Sequence, residues 1–241
     1  MPRVFWSVAP RARLGSRSVG TTTPRLPTSS HEFHLLQQGN RHIAGVDEAG
    51  RGAWAGPLTA SAVILPPVAY SDNRLFWGVT DSKRLSPAAR TRWADLLHAR
   101  AIAVGVAHVT PREIDDYGLS AAGRMVMSRA LSRLCLDPDH VILDAFALDS
   151  SSPFSDRQTP LVRADSTCLA VAAASICAKV ARDGLMRQLH RTFPEYGFDR
   201  HKGYGTPHHR AALNRLGRLP IHRRSFAPVR NAKPARCGSL S

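Results

Sequence analysis

Four acidic residues in the middle of the chain lie next to predicted strands and helices, where side chains can converge on a catalytic site. They are Asp47 and Glu48 after one short apolar run, Asp144 after another, and Asp165 just before a long predicted helix. Carboxylates that meet at one place repel each other strongly unless cations neutralise them, and such hard oxygen ligands suit Mg²⁺ or Mn²⁺. The pattern therefore predicts a site for divalent metal ions.

Two metal ions at such a site would direct its chemistry towards phosphodiesters. When they lie about 3.5–4 Å apart, they can activate a water molecule and stabilise the leaving oxygen of an in-line displacement. Asp47 and Glu48 would point to opposite faces of a regular strand, so they share a site only if the strand ends or bulges there. The glycine-rich residues 49–52 predict that irregularity. Taken singly, each acid is also explained as a cap, a turn residue or a surface charge.

The distribution of charge points to a polyanionic partner. The chain carries 33 basic and 18 acidic residues, a formal net charge of +15. Residues 41–185 are nearly balanced, whereas residues 186–241 hold 12 basic and 2 acidic side chains. Basic segments attract nucleic acids by neutralising phosphates and releasing counterions. Nucleic acid is therefore the expected partner, with a merely basic soluble surface as the alternative.

Length and composition are those of a folded soluble protein. The chain has 241 residues, of which 43% are hydrophobic and 21% charged. It contains no uninterrupted apolar run of the length that a membrane-spanning helix needs, so no membrane partner is expected. The four cysteines form no CxxC pair, which favours reduced thiols and a cytoplasmic location.

Hydrophobic periodicity predicts the elements that must position the acids. The predicted strands are residues 42–46, 58–65, 101–109, 140–144 and 161–164, and the predicted helices are residues 86–100, 119–134 and 167–190. Strands come first with tight connections and later alternate with helices. This order favours an α/β fold with one mixed five-stranded sheet flanked by helices. The dinucleotide-binding pattern GxGxxG before a helix is absent.

Composition also suggests three regions along the chain. Residues 1–40 are basic and rich in Ser, Thr and Pro, which predicts a disordered N-terminal arm, although a transit peptide or an over-long start has the same composition. Residues 41–190 form the predicted catalytic domain. Residues 191–241 form a basic, helical C-terminal region that is expected to bind substrate, and its tail.

Six segments together carry a family resemblance. In chain order they are AGVDEAGRGAWAGPLTASAVIL, TDSKRLS, VILDAF, RADSTCLAVAAASICAKVARD, HKGYGTPHH and IHRRSFAPV. They resemble bacterial ribonuclease HII over residues 43–229. The resemblance implies a ribonuclease H-like fold and a metal-dependent endonuclease that hydrolyses the RNA strand of RNA/DNA hybrids. It also implies incision 5′ of ribonucleotides embedded in duplex DNA, with 3′-hydroxyl and 5′-phosphate products.

The resemblance also implies roles for individual residues. The metal ligands of that family match Asp47, Glu48, Asp144 and Asp165, and the loop that reads the ribose 2′-hydroxyl matches Gly50, Arg51 and Gly52. Glycines suit that loop because only they let a backbone come so close to a sugar. Tyr204 matches a tyrosine that stacks on the deoxyribose after the ribonucleotide. Phosphate contacts are expected from Lys83, Arg223 and Arg224.

Several alternatives stay open at this point. The histidines at 201, 208, 209 and 222 have no zinc-site spacing, so we expect them to be solvated or to contact phosphates. Lys179 is expected either near the carboxylates or pointing to water. Ribonuclease HIII is disfavoured because it carries an additional N-terminal domain. A non-catalytic nucleic-acid-binding module is disfavoured because four acids would weaken phosphate binding without metal. We expect a monomer.

Overall fold

A computed structural model describes residues 26–235. The strands are β1 (Ile43–Ala49), β2 (Leu58–Ile64), β3 (Ala103–Val109), β4 (His140–Asp144) and β5 (Gln158–Leu161). The helices are α1 (Ser30–Gln37), α2 (Val68–Ser71), α3 (Pro87–Arg100), α4 (Pro111–Tyr117), α5 (Leu119–Leu131), α6 (Ala164–Thr167), α7 (Leu169–Thr192), α8 (Phe198–His201), α9 (Pro207–Leu216) and α10 (Ala227–Arg230). Short 3₁₀ turns lie at Asn73–Phe76, Ser82–Arg84 and Pro194–Tyr196. In this part of the chain no helix is both long and apolar enough to cross a bilayer.

The five strands form the mixed sheet that the sequence predicts. Their order is β3-β2-β1-β4-β5, in which β1 pairs antiparallel with β2 and parallel with β4. β2 and β3 are antiparallel, and β4 and β5 are parallel. The parallel pairing brings the carboxyl ends of β1 and β4 to the same edge of the sheet.

Each face of the sheet is covered by a different helix. α7 packs on one face, against a core that includes Ile43 and Ile142, and α5 packs on the other, against Val46 and Leu143. α7 can approach this closely because Gly45 has no side chain. A Cβ atom at Gly45 would lie 2.2 Å from the α7 backbone. Successive strand residues alternate between the two cores. This alternation decides which acids face the same helix.

The predicted element bounds agree with the structure to within one residue at α3, β2 and β4 and to within three residues at the other predicted elements except β5. Ser86 caps α3 and Pro87 opens it, as the sequence predicts. β5 lies at Gln158–Leu161, so the prediction of a strand at 161–164 is wrong. β5 is an edge strand with half-exposed residues, and Val162 after it is 81% exposed, so no buried apolar run marks this strand.

The prediction of a disordered arm over residues 1–40 is wrong for its last part. Residues 30–37 form α1, and Glu32 on that helix has no exposed surface. Its carboxylate accepts a 2.9 Å hydrogen bond from the backbone N–H of Ala170, in the first turn of α7. The N-cap residue of α7, Cys168, makes no side-chain capping bond, so Glu32 supplies that cap from a distant part of the chain. Residues 1–25 lie outside the described residues.

The C-terminal region packs on the second half of α7. A separate apolar cluster joins Met186 of α7 to Tyr196, Phe198 and Leu219, and also contains Ala55 from the segment between β1 and β2. The region therefore closes over the same end of the sheet at which the acids lie.

We expect replacement of Glu32 by Ala to lower the free energy of unfolding by about 1 kcal/mol, the typical worth of a helix cap. Urea denaturation would measure the change, with His31→Ala on the exposed side of α1 as the matched control. Equal stability of the Glu32 variant and the wild type would show that Glu32 does not stabilise the start of α7.

Candidate active site

Three of the four predicted metal ligands converge in the structure. In the β1–β4 register Val46 pairs with Leu143, so the next residues, Asp47 and Asp144, lie side by side and face α7. Asp165 joins them from α6, which directly precedes α7. One carboxylate oxygen from each of the three lies within 4.8 Å of the others. Such a group fits a divalent cation with oxygen ligands.

Glu48 lies next to this group but on the other face of β1. The expected strand end or bulge does not occur between Asp47 and Glu48, because β1 keeps regular antiparallel pairing through Ala49. Glu48 therefore points towards the α5 side. Glu48 is not within the 4.8 Å that unites the other three carboxylates. Its Oε2 atom is buried without a hydrogen-bond partner, which leaves a free ligand atom at the edge of the site.

Burial and mutual repulsion raise the pKa values of these acids. The pKa of Asp47 is well above its ordinary value because of burial and then because of the negative charges of Glu48, Asp144 and Asp165. Burial also raises the pKa of Asp165, where Asp144 adds to the rise and Lys83 opposes it. Removing the acids from water without a cation is thus unfavourable, which is the electrostatic condition that a metal ion relieves.

Arg51 partly compensates the charge of Glu48. Its guanidinium lies 3.7 Å from the Glu48 carboxylate and 4.4 Å from the centre of the Phe146 ring. Burial raises the pKa of Glu48, and the charge of Arg51 opposes that rise. Arg51 is therefore held between an acid of the site and an exposed aromatic ring.

A cleft of about 270 Å³ opens beside the carboxylates. Its lining residues are Asp47, Glu48, Ala49, Gly50, Arg51, Gly52, Ser82, Lys83, Asp144, Ser175, Lys179 and Tyr204. Lys83 Nζ lies 3.4 Å from Asp165, and Lys179 Nζ lies 2.7 Å from Asp183. The cleft thus combines acids with cationic groups, an arrangement that suits a phosphate next to metal ions.

Sequence reasoning missed two serines of the cleft. The hydroxyl of Ser175 donates to that of Ser82 over 2.8 Å, and both residues are buried. Ser82 lies next to Lys83 in the TDSKRLS segment, and Ser175 interrupts an alanine-rich helix. The polar Ser175 among the alanines of the helix that faces the acids was the sequence feature that could have predicted this contact.

The predicted ribose-reading glycines have different surroundings. We call residues 50–57 the glycine loop. Gly52 has open space where a Cβ would be, as close approach of a ligand requires, whereas Gly50 has a φ of +98° and packs on Arg182. Tyr204 is half-buried, and its backbone forms a β-bridge with Ala53 of the glycine loop. Its ring lies 5.8 Å from Lys179 Nζ and 5.3 Å from the Arg182 guanidinium carbon.

The structure contradicts the prediction that Arg223 contacts phosphates. Arg223 has no exposed surface, and its guanidinium donates to the carbonyl oxygens of Gly56 and Arg51. Both carbonyls belong to the glycine loop, so the buried Arg223 side chain holds the backbone of that loop in place. Arg224 is exposed and forms a 3.5 Å ion pair with Asp115. A charged residue type alone gives no signal for this difference.

The histidines also differ from expectation. His208 is exposed, but His201, His209 and His222 are buried. They are therefore not solvated, and they are not available to phosphates. The rings of His201 and His209 stack with centroids 4.4 Å apart.

The buried imidazoles form a directional chain of hydrogen bonds. The N–H of Leu219 donates to His222 Nδ1 over 3.0 Å, which leaves the proton of His222 on Nε2. That proton is donated to His209 Nε2 over 3.2 Å, and His209 Nδ1–H donates to the Tyr204 carbonyl over 3.0 Å. Both rings are thus assigned as neutral, and the chain ends on the backbone of the cleft residue Tyr204.

Comparison with known proteins shows the family of the chain. A family model described as ribonuclease HII matches residues 44–229. The chain belongs to the ribonuclease HII family. It is 48% identical to the ribonuclease HII of Chloroflexus aurantiacus, over 85% of this chain and 95% of that protein. It is 44% identical to that of a Synechococcus species, over 93% of this chain and 99% of that protein.

Solved structures support the same membership. Ribonuclease H2 from Pyrococcus horikoshii superposes with a TM-score of 0.67 at 29% identity, over 78% of this chain and 95% of that one. The ribonuclease HII of Archaeoglobus fulgidus, solved in complex with PCNA, gives a TM-score of 0.64 at 28% identity, over 77% and 95%. The predicted fold class and the prediction of an endoribonuclease of the ribonuclease H type are confirmed.

The buried histidines predict a specific pH dependence of stability. Burial, and then the neighbouring imidazoles, lower the pKa of His209 to about 4 and that of His222 to about 3. The unfolded chain takes up these protons near pH 6.5 and the folded chain does not, so the stabilisation present above pH 6.5 is lost as the pH falls. Each histidine should add about 1.4 kcal/mol per pH unit to the slope between pH 6 and 4.5.

His222→Asn, which keeps a donor and an acceptor but does not titrate, should reduce that slope in urea denaturation. His98→Asn, at an exposed position on α3, should leave it unchanged. An unaltered slope in the His222 variant would mean that this imidazole takes up protons as readily when folded as when unfolded.

Proposed function

We propose that this ribonuclease hydrolyses the RNA strand of RNA/DNA hybrids and also incises 5′ of ribonucleotides embedded in duplex DNA, leaving 3′-hydroxyl and 5′-phosphate ends. The observation that carries the proposal is the convergence of Asp47, Asp144 and Asp165 in a cleft that also holds Lys83 and Arg51. A phosphate in that cleft would lie between ligands for cations and fixed positive charges.

The residues present fit divalent metal ions of the Mg²⁺ or Mn²⁺ class. Asp47, Asp144 and Asp165 would hold them, with Glu48 as a further ligand from the neighbouring face. The fit is supported by the raised pKa of Asp47 and by the unpartnered Oε2 atom of Glu48. When bound, two such ions supply an activated water and stabilisation of the leaving oxygen.

Backbone N–H groups orient the ligand carboxylates, and a lysine side chain would orient the substrate. Asp144 Oδ1 accepts a 2.8 Å hydrogen bond from the Ala164 N–H, and Asp47 Oδ1 accepts one of 2.7 Å from the Glu48 N–H. Each carboxylate is thus fixed through one oxygen and keeps the other for a cation. Lys83 reaches the cleft from the 3₁₀ turn Ser82–Arg84 and would bind the phosphate next to Asp165.

Recognition of a single ribonucleotide would require two contacts at once. The backbone at Gly52 has the open approach that a ribose 2′-hydroxyl needs, and Arg51 and Gly50 shape that loop. Tyr204, next to that loop at the Ala53–Tyr204 bridge, would stack on the following deoxyribose. Together these contacts would favour cleavage at an RNA-to-DNA junction. Exposed Arg224 would extend the phosphate-binding surface, and we also propose a monomeric, cytoplasmic enzyme.

The decisive assay uses purified protein, Mg²⁺ or Mn²⁺, and a duplex that carries one internal ribonucleotide. We expect a nick on the 5′ side of that ribonucleotide. Asp47→Asn should reduce the cleavage rate by about a hundredfold or more while binding of the duplex is retained, because a metal ligand is lost and the fold is kept.

Asp95→Asn, on the exposed side of α3, is the matched control and should cleave like the wild type. Undiminished cleavage by the Asp47 variant would refute the assignment of the active site. Binding without cleavage by the wild-type protein would favour a non-catalytic nucleic-acid-binding module.

A further inference from the structure

A buried arginine that no phosphate can reach lies between the two loops proposed to read the substrate. Arg182 is in the middle of α7 and has no exposed surface. Its guanidinium contacts both the glycine loop and the segment 202–206, which we call the tyrosine loop. The two loops also pair with each other at the Ala53–Tyr204 bridge. Among the described residues no carboxylate lies within 4.0 Å of the Arg182 side-chain nitrogens. A buried charge of this kind is costly unless its hydrogen bonds are well satisfied.

The guanidinium of Arg182 donates to three backbone carbonyls. Nε donates to Pro57 over 2.9 Å and Nη2 to Ala55 over 3.1 Å, both in the glycine loop. Nη1 donates to Lys202 over 2.9 Å, in the tyrosine loop. The planar fork of an arginine fixes these acceptors relative to one another, which the single ammonium group of a lysine does not.

The same side chain contacts the reading residues themselves. A Cβ atom at Gly50 would lie 1.9 Å from Arg182 Nε, so the loop backbone rests directly on the guanidinium. The guanidinium carbon lies 5.3 Å from the centre of the Tyr204 ring, within the range of a cation–π contact. Direct bonds between the loops, such as Trp54 N–H to the Gly203 carbonyl over 2.8 Å, complete the connection.

From this geometry we infer that Arg182 is a positioning residue for specificity: it fixes the distance between the glycine loop and Tyr204. That distance decides whether a ribose and the next deoxyribose are read together. The inference rests on the proposed function. It predicts that loss of the planar guanidinium lowers cleavage at an embedded ribonucleotide more than cleavage of a long hybrid. In a long hybrid the glycine loop can contact a ribose at many positions.

Arg182→Lys is the informative variant because it keeps the charge and loses the fork. We expect the ratio of kcat/KM on a single-ribonucleotide duplex to kcat/KM on a long hybrid to fall by about tenfold. Arg187→Lys, at an exposed position of the same helix, should leave the ratio unchanged. An equal loss on both substrates, or no loss, would overturn the inference. Absence of any cleavage by the wild type would instead refute the proposed function.

A double-mutant cycle with Tyr204→Ala tests the route of the effect. If Arg182 acts by positioning Tyr204, adding Arg182→Lys to the Tyr204 variant should not change the ratio of the two kcat/KM values further. A further tenfold fall of that ratio in the double variant would show that Arg182 does not act through Tyr204 and would overturn the inference.

A measurement on the wild-type protein does not depend on the folding of any variant. The Nε–H of Arg182 should exchange with solvent far more slowly than that of exposed Arg187 in NMR experiments, because it is held on the Pro57 carbonyl. It should stay protected when the single-ribonucleotide duplex is bound. Exchange as fast as that of Arg187 would show that the fork does not fix the loop.

Discussion

The site depends on the repulsion between carboxylates that the parallel pairing of β1 and β4 forces together. Asp47 and Asp144 follow paired residues on neighbouring strands and therefore face the same helix, and α6 adds Asp165. The apolar packing of α7 and α5 on the two faces of the sheet offsets the unfavourable free energy of bringing these carboxylates together. A fold that places these repelling carboxylates at one edge favours cation binding there, since a bound cation removes the electrostatic repulsion that opposes folding.

The opposite side of the cleft is built on another principle. There, buried polar groups hold backbone segments through hydrogen bonds without ion pairs: Arg182 and Arg223 donate to carbonyls of the glycine loop, and the His222–His209 chain ends on the carbonyl of Tyr204. Satisfied networks of this kind fix one geometry, because any displacement leaves a buried donor or acceptor without a partner. The acids are thus free to exchange cations while the loops proposed to read the substrate stay in place.

Much of the sheet and of the acidic site follows from sequence patterns, and the exceptions have physical reasons. Apolar runs mark β1 and β4, and Asp144 marks the end of β4, whereas β1 continues past Asp47 and Glu48 to Ala49. The position of Glu48 relative to Asp47 was not predictable, because a regular strand and a bulge differ only in tertiary pairing. Burial of Arg223 depends on carbonyls far away in the chain. α1 is held by the contact of Glu32 with α7 and by Leu35 and Leu36 on the same core, contacts that lie far apart in the sequence.

The central claim is that a divalent cation relieves the repulsion around Asp47, and thermal unfolding in EDTA and with added Mn²⁺ tests it most directly. The account predicts that Mn²⁺ raises the Tm of the wild type. It also predicts that in EDTA the Asp47→Asn protein melts above the wild type, by about 2–4 °C for each kcal/mol of repulsion removed. The Tm of that variant should respond much less to Mn²⁺. A wild type that melts at the same temperature with and without Mn²⁺, and above its Asp47→Asn variant in EDTA, would contradict the account.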